Sequence, residues 1–189
     1  MQVALFFGSF NPIHLGHLII GSSIADLPEV DQVWFVVSPQ SPFKEKGSLL
    51  NAYDRLHLVR EATSDDLRFR ASSVEFSLPQ PSYTIDTLTN LREQHPSHTF
   101  QLIVGSDTLP TLHKWKNHEL LLRDYTFIVY PRPPATNPFP DHPNIRFTDF
   151  PFLNISSTYI RDLIKAGKSA RYLLPERVYK YVDEMNLYR

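Results

Sequence analysis

Four short runs, Gln2–Phe7, Val33–Val37, Thr99–Val104 and Tyr125–Tyr130, are apolar at nearly every position rather than at alternate ones. A strand with one face in water carries polar residues at every second place, so runs like these need cover on both faces. That points to parallel strands with helices packed above and below. The intervening segments agree. Leu15, Leu18, Ile19, Ile24 and Leu27 recur near helical spacing and stop at Pro28, and further helices are expected over Asn51–Thr63 and about Ser82–Gln94. Leu67–Leu78 reads as a strand pair, Ile145–Thr148 as a short strand, and Ser156–Ala166 and Pro175–Asn186 as two closing helices. The class is α/β. At 189 residues the chain suits one domain, with a core over about 1–150 and a small helical part over about 151–189.

Composition removes several function classes. Zero cysteines exclude disulfides, thiolate metal sites and cysteine nucleophiles. A balance of 19 Lys+Arg against 20 Asp+Glu gives no bulk attraction to nucleic acid or to an anionic membrane, so any polyanion needs a local site. No window approaches the roughly 18 apolar residues of a membrane span, and the start lacks the basic lead of a signal peptide; a cytoplasmic location is expected. Six glycines stand against 16 prolines, so each glycine is informative, while six of those prolines crowd into Pro131–Pro143, a stiff crossover.

The densest cluster of chemistry is Gly8-Ser9-Phe10-Asn11-Pro12-Ile13-His14-Leu15-Gly16-His17, where the first strand hands over to the first helix. Ligands of open parallel sheets bind at strand carboxyl ends, where helix N-terminal amides favour anions. Gly8 lets the backbone approach a phosphate, and His14 and His17, three residues apart, direct both imidazoles at one ligand. A dinucleotide fingerprint and a P-loop are both missing. Loop solvation alone is the plain alternative, and zinc lacks a third ligand at diagnostic spacing, so no protein-held metal is expected.

Other residues fit an anion site. Lys44 follows the second strand in a proline-rich loop, where an ammonium could meet phosphates. Ser156 and Ser157 open a helix with Arg161 one turn inside, which serves for capping and equally for gripping a polyphosphate. Gly105-Ser106-Asp107 ends a buried strand, where a carboxylate can accept from ribose hydroxyls or cap a turn. Trp115 lies between Lys114 and Lys116, an unlikely place for a ring that serves only a core.

GSFNPIHLGH resembles the (H/T)xGH signature of the nucleotidyltransferase superfamily, and Ile155–Arg161 resembles its ISSTxIR motif, about 140 residues later. SPQSPFK at 38–44, SYTIDTL at 82–88, GSDTLPTLHKW at 105–115 and the strand ending in Arg132-Pro133 are similar to the bacterial nicotinate-nucleotide adenylyltransferases. This chain differs from that pattern at Phe7, Asn11, Lys116 and Pro134.

The resemblance implies a Rossmann-like doubly wound sheet and a reaction in which ATP and nicotinate mononucleotide give nicotinate adenine dinucleotide and pyrophosphate. The mononucleotide's 5′-phosphate attacks the α-phosphorus in line. That nucleophile is already an anion, so orientation and charge stabilisation carry the catalysis. By the same resemblance His14 and His17 contact the α- and β-phosphates, Lys44 and Arg161 the migrating charge, and the amides at Gly8, Ser9 and Phe10 the phosphate chain. Ser156 and Ser157 sit beside the adenosine. Tyr83, Thr84, Asp107, Trp115 and Arg132 take the mononucleotide, with Trp115 stacked on its cationic ring. Mg²⁺ accompanies ATP through phosphate oxygens and water. The amide substrate or dual use of acid and amide, then phosphopantetheine and a non-catalytic nucleotide-binding regulator, are the alternatives, and the chain is compatible with a homo-oligomer.

Overall fold

The computed structural model describes residues 1–39, 49–133, 137–150 and 153–189. Its strands are β1 (Gln2–Gly8), β2 (Gln32–Val37), β3 (Phe69–Ser72), β4 (Thr99–Gly105), β5 (Phe127–Tyr130) and β6 (Ile145–Phe147). They form one sheet in the order β3-β2-β1-β4-β5-β6, every pair parallel. The order reverses between β1 and β4, and in such sheets the crevice at that reversal takes the ligand.

The two-sided burial inferred from the apolar runs is visible residue by residue. Ala4 and Phe6 of β1, Val33, Phe35 and Val37 of β2, and Ile103 of β4 join one core, with Ile24, Leu58, Ile160 and Val178. Val3, Leu5, Trp34, Val36 and Leu102 point the other way, into a core with Leu88, Leu91, Leu112 and Leu121. The first face is covered by α1 (Leu15–Ala25), α2 (Ala52–Thr63), α5 (Ser157–Lys165) and α6 (Glu176–Glu184), and the second by α3 (Thr84–Gln94) and α4 (His118–Asp124). The closing helices thus share the core of the sheet. Among the described residues no helix is long and apolar enough to cross a membrane.

Two expectations change. Within Leu67–Leu78 only Phe69–Ser72 is strand, and Val74–Ser77 turns as a 3-10 helix. The turn carries Glu75 inward to 3% exposure, where its Oε1 accepts from the Thr87 hydroxyl at 2.9 Å; a second strand would have sent it elsewhere. Between β4 and β5 the chain forms a 3-10 helix, Ser106–Lys114, and then α4, neither anticipated, because Pro110 and the unbroken Leu120–Leu122 run hide any helical period. The expected helix from Ser82 starts two residues later, at Thr84.

Candidate active site

β1 delivers Gly8 to the reversal point of the sheet, and the loop after it folds back on itself. Phe10 adopts a left-handed backbone (φ 44°), unusual for a bulky residue, and its ring is buried. The ring lies over Gly8, so closely that a Cβ at Gly8 would stand 2.8–3.0 Å from three of its carbons. Gly8 is therefore required first by the seat of Phe10, a packing reason that the sequence reading did not supply. Phe10 in turn packs edge-on against His17, with ring centroids 5.1 Å apart.

His14 is the N-cap of α1, and its ring stacks on His17 at 3.7 Å. The backbone N–H of His14 donates to His17 Nδ1 at 3.2 Å. With Nδ1 accepting, the proton of neutral His17 sits on Nε2, so that nitrogen is a donor. His14 is 4% exposed, and burial, helped by the nearby charge of Arg132, pushes its pKa down to about 4. It is neutral at neutral pH. Its Nδ1 is buried with no close hydrogen-bond partner among the described residues beyond the capping contact with the His17 backbone, and a Cβ on Gly16 would come within 3.0 Å of that atom.

α5 closes the other side. Ser156 caps it, its Oγ accepting from Tyr159 N at 3.1 Å. Ser157 Oγ donates to Pro12 O at 2.9 Å, and Arg161 Nη1 to Asn11 O at 2.8 Å, so the second motif is bonded onto the loop of the first. Both serine hydroxyls thus do structural work while lining the same wall. Asn11 Oδ1 accepts from Leu50 N (3.2 Å) and from the Tyr188 hydroxyl (2.9 Å).

These elements enclose a cavity of about 560 Å³ whose wall includes Ser9, His14, His17, Ser156, Ser157 and Arg161. A second cavity of about 300 Å³ opens on the β4 side of β1, against Tyr83, Thr84, Gly105 and Trp115. Gly8, Ser9, Tyr130 and Arg132 line both, so the cavities meet over the end of β1. Trp115 is half-buried and packs on the core of the second face, presenting the rest of its indole to this second space. Lys116, one of the positions where the chain departs from the pattern it resembles, has its Nζ 2.8 Å from Asp86 Oδ2 and 5.0 Å from the Tyr83 ring centre, which ties Tyr83 to the first turn of α3. Asp107 is not part of the cavity wall. Its carboxylate stands 3.5 Å from Arg132 Nε, and a Cβ on Gly105 would collide with it.

Of the residues singled out by sequence, all but two meet around these cavities: Asp107 stands just behind, and Lys44 lies outside the described residues. Sequence reasoning missed Tyr130 on the shared wall. It also missed Glu75 and Ser82, which line the second cavity and whose Oε2 and Oγ atoms are buried without a partner among the described residues. Glu75 had a signal, as a lone carboxylate in an apolar stretch just before the SYT motif.

Residues 5–163 match the family model described as "Cytidylyltransferase-like". A protein of Cytophaga hutchinsonii named "Probable nicotinate-nucleotide adenylyltransferase" is 52% identical over 190 residues, covering 100% of this chain and 97% of that one. A protein of the same name from Flavobacterium johnsoniae is 46% identical, covering 100% of both. In fold, the chain is similar to a Plasmodium falciparum nicotinic acid mononucleotide adenylyltransferase solved with NaAD, at TM-score 0.84 and 21% identity, over 99% of this chain and 97% of the other. With two signature motifs bonded to one another across the reversal point of a parallel sheet, and relatives alike along the full length, the chain belongs to the nicotinate-nucleotide adenylyltransferases of the cytidylyltransferase-like family.

Proposed function

We propose that this protein transfers the adenylyl group of ATP to nicotinate mononucleotide, forming nicotinate adenine dinucleotide and releasing pyrophosphate. The observation that carries the reading is the pair of unlike cavities joined at Gly8, Ser9 and Arg132. One is lined by imidazoles, hydroxyls and a guanidinium, suited to a triphosphate, and the other by an indole and the start of α3, suited to an aromatic acid. The α-phosphorus then lies near the junction, where the mononucleotide phosphate can approach opposite the departing pyrophosphate.

In the transition state an oxygen–phosphorus bond forms from the mononucleotide phosphate as the bond to the β-phosphate oxygen breaks, and negative charge grows on the leaving oxygens. His17 Nε2–H and Arg161 donate to that charge, and Arg132 stands at the shared wall beside both phosphates. His14, neutral at rest, donates through the one ring nitrogen that carries its proton. No residue needs to act as a base, since the nucleophile is an anion. The positively charged pyridine ring stacks on Trp115, and its carboxylate lies at the first turn of α3, near Thr84, where amides and the helix dipole favour an acid over an amide.

Mg²⁺ fits this site as a companion of the nucleotide. Among the described residues no group of three or more carboxylates or imidazoles is placed to cage a metal, so phosphate oxygens and water would hold the ion and its role is to neutralise the triphosphate. Pyrophosphate release measured with ATP and, in parallel, nicotinate mononucleotide, nicotinamide mononucleotide and phosphopantetheine tests the proposal. Release fastest with the acid is expected; no release with any acceptor would refute it in favour of a nucleotide sensor.

A further inference from the structure

Arg55 on α2 carries a charge that the mechanism above does not use. Its side chain is among the largest fully buried ones, at 1% exposure, and burial lowers its pKa from the ordinary guanidinium value. Arginine nonetheless keeps its proton in proteins. Its four hydrogen bonds among the described residues all go to carbonyl oxygens, none to a carboxylate: Nε to Leu50 O (2.9 Å), Nη1 to Ser9 O (2.6 Å) and Ser38 O (2.9 Å), and Nη2 to Pro39 O (2.8 Å). Carbonyls satisfy the N–H groups without neutralising the charge, and among the described residues no carboxylate bonds the guanidinium, a costly setting for a buried ion.

The positions of those carbonyls matter. Ser9 belongs to the loop that lines the first cavity, Ser38 and Pro39 leave β2, and Leu50 leads into α2. One fork therefore fixes three chain segments at a single point. The shortest of the four bonds, to Ser9 O, has a second effect. The Ser9 carbonyl and the Phe10 N–H are two ends of one peptide group, and a cation on the oxygen polarises the group so that its N–H becomes a stronger donor.

We infer that Arg55 is a positioning residue for the polyphosphate: it clamps the Ser9–Phe10 peptide against β2 and α2 and passes its positive charge to the anion site through that peptide, without touching the nucleotide. This rests on the adenylyltransferase reading. On that reading the triphosphate brings its negative charge to the peptide that Arg55 grips. ATP binding should therefore depend on Arg55 far more than mononucleotide binding does, whereas a purely structural brace would affect both alike.

The test uses the full chain, its Arg55→Gln and Arg55→Lys variants, and isothermal titration with α,β-methylene ATP and with nicotinate mononucleotide separately. Pyrophosphate release is followed alongside. For Arg55→Gln, affinity for the ATP analogue should fall about 10- to 100-fold, with mononucleotide affinity within about threefold of wild type. Arg55→Lys keeps the charge but not the fork, and should recover part of the loss. A folded Arg55→Gln with ATP affinity within about threefold of wild type overturns the inference, as does an equal loss for both ligands. If Arg55→Gln does not fold, Arg55→Lys decides: a selective loss for ATP supports the inference and unchanged affinity refutes it. A wild-type chain that releases no pyrophosphate overturns the adenylyltransferase reading, whereas an active wild type with indifferent Arg55 variants overturns this inference alone.

Discussion

Replacing His14 with glutamine should change how the stability of the protein depends on pH, and the size of the change follows from the burial of the ring. In the unfolded chain the imidazole titrates at its ordinary value of 6.5; in the fold, burial and Arg132 bring it to about 4. The unfolded state thus binds the proton more tightly. The stabilisation is fully present above pH 6.5 and is lost as pH falls through the window from 6.5 to 4. At pH 5 the unfolded imidazole is almost fully charged and the folded one still mostly neutral, which costs the fold about 2 kcal/mol, rising to about 3 kcal/mol below pH 4. Urea unfolding of wild type and His14→Gln at pH 7.5 and pH 5.0 measures this directly. Wild type should lose about 2 kcal/mol more than the variant between the two pH values, or about 4–8 °C in Tm for a chain of this size. Parallel losses would refute the assignment of a neutral, buried His14. Bound triphosphate supplies the opposite charge that His14 lacks and raises its pKa. Titrations of ATP at pH 5.5 in buffers of different ionisation enthalpy should accordingly show more proton uptake by wild type than by His14→Gln.

His17→Ala should lower kcat about 10²- to 10³-fold with folding intact, as expected for loss of one preorganised donor, and a wild-type rate would remove His17 from the site. Gly8→Ala forces a Cβ into the Phe10 ring and should destabilise the fold by about 1–3 kcal/mol in denaturant titrations while weakening ATP. Trp115→Ala should raise the KM for the mononucleotide several-fold and leave that for ATP nearly unchanged; weakened ATP would place the indole wrongly. Tyr188→Phe removes only the hydroxyl that bonds Asn11 Oδ1 and should cost about 1 kcal/mol of stability by urea unfolding, with any kinetic loss confined to ATP.

Some of this was legible in the sequence because the determinants are local. Residues 2–8 are apolar on both faces and end in glycine, so strand, turn and the following histidines could be placed without tertiary knowledge. Ser156 likewise announces a helix start and is one. Arg55 was illegible: between Asp54 and a helix bearing Arg60 and Glu61 it reads as one more surface charge, and only the approach of three loops makes it interior. Tyr188 was hidden for the same reason, since its partner Asn11 lies 177 residues away. The inward turn at Glu75 and the helices over 106–124 depend on packing against the sheet rather than on periodicity, and pattern reading missed both.

The docking of Tyr188 on Asn11 gives the two chain ends very different standing. Met1 precedes β1, whose seven residues put the amino terminus about 20 Å from the phosphate loop, at the opposite rim of the sheet. Arg189 is bonded directly to the tyrosine that holds that loop. Strain on the segment around Tyr188 is therefore passed to Asn11, and through it to the loop that Arg161 also grips, whereas strain at Met1 enters the sheet at the far end of β1.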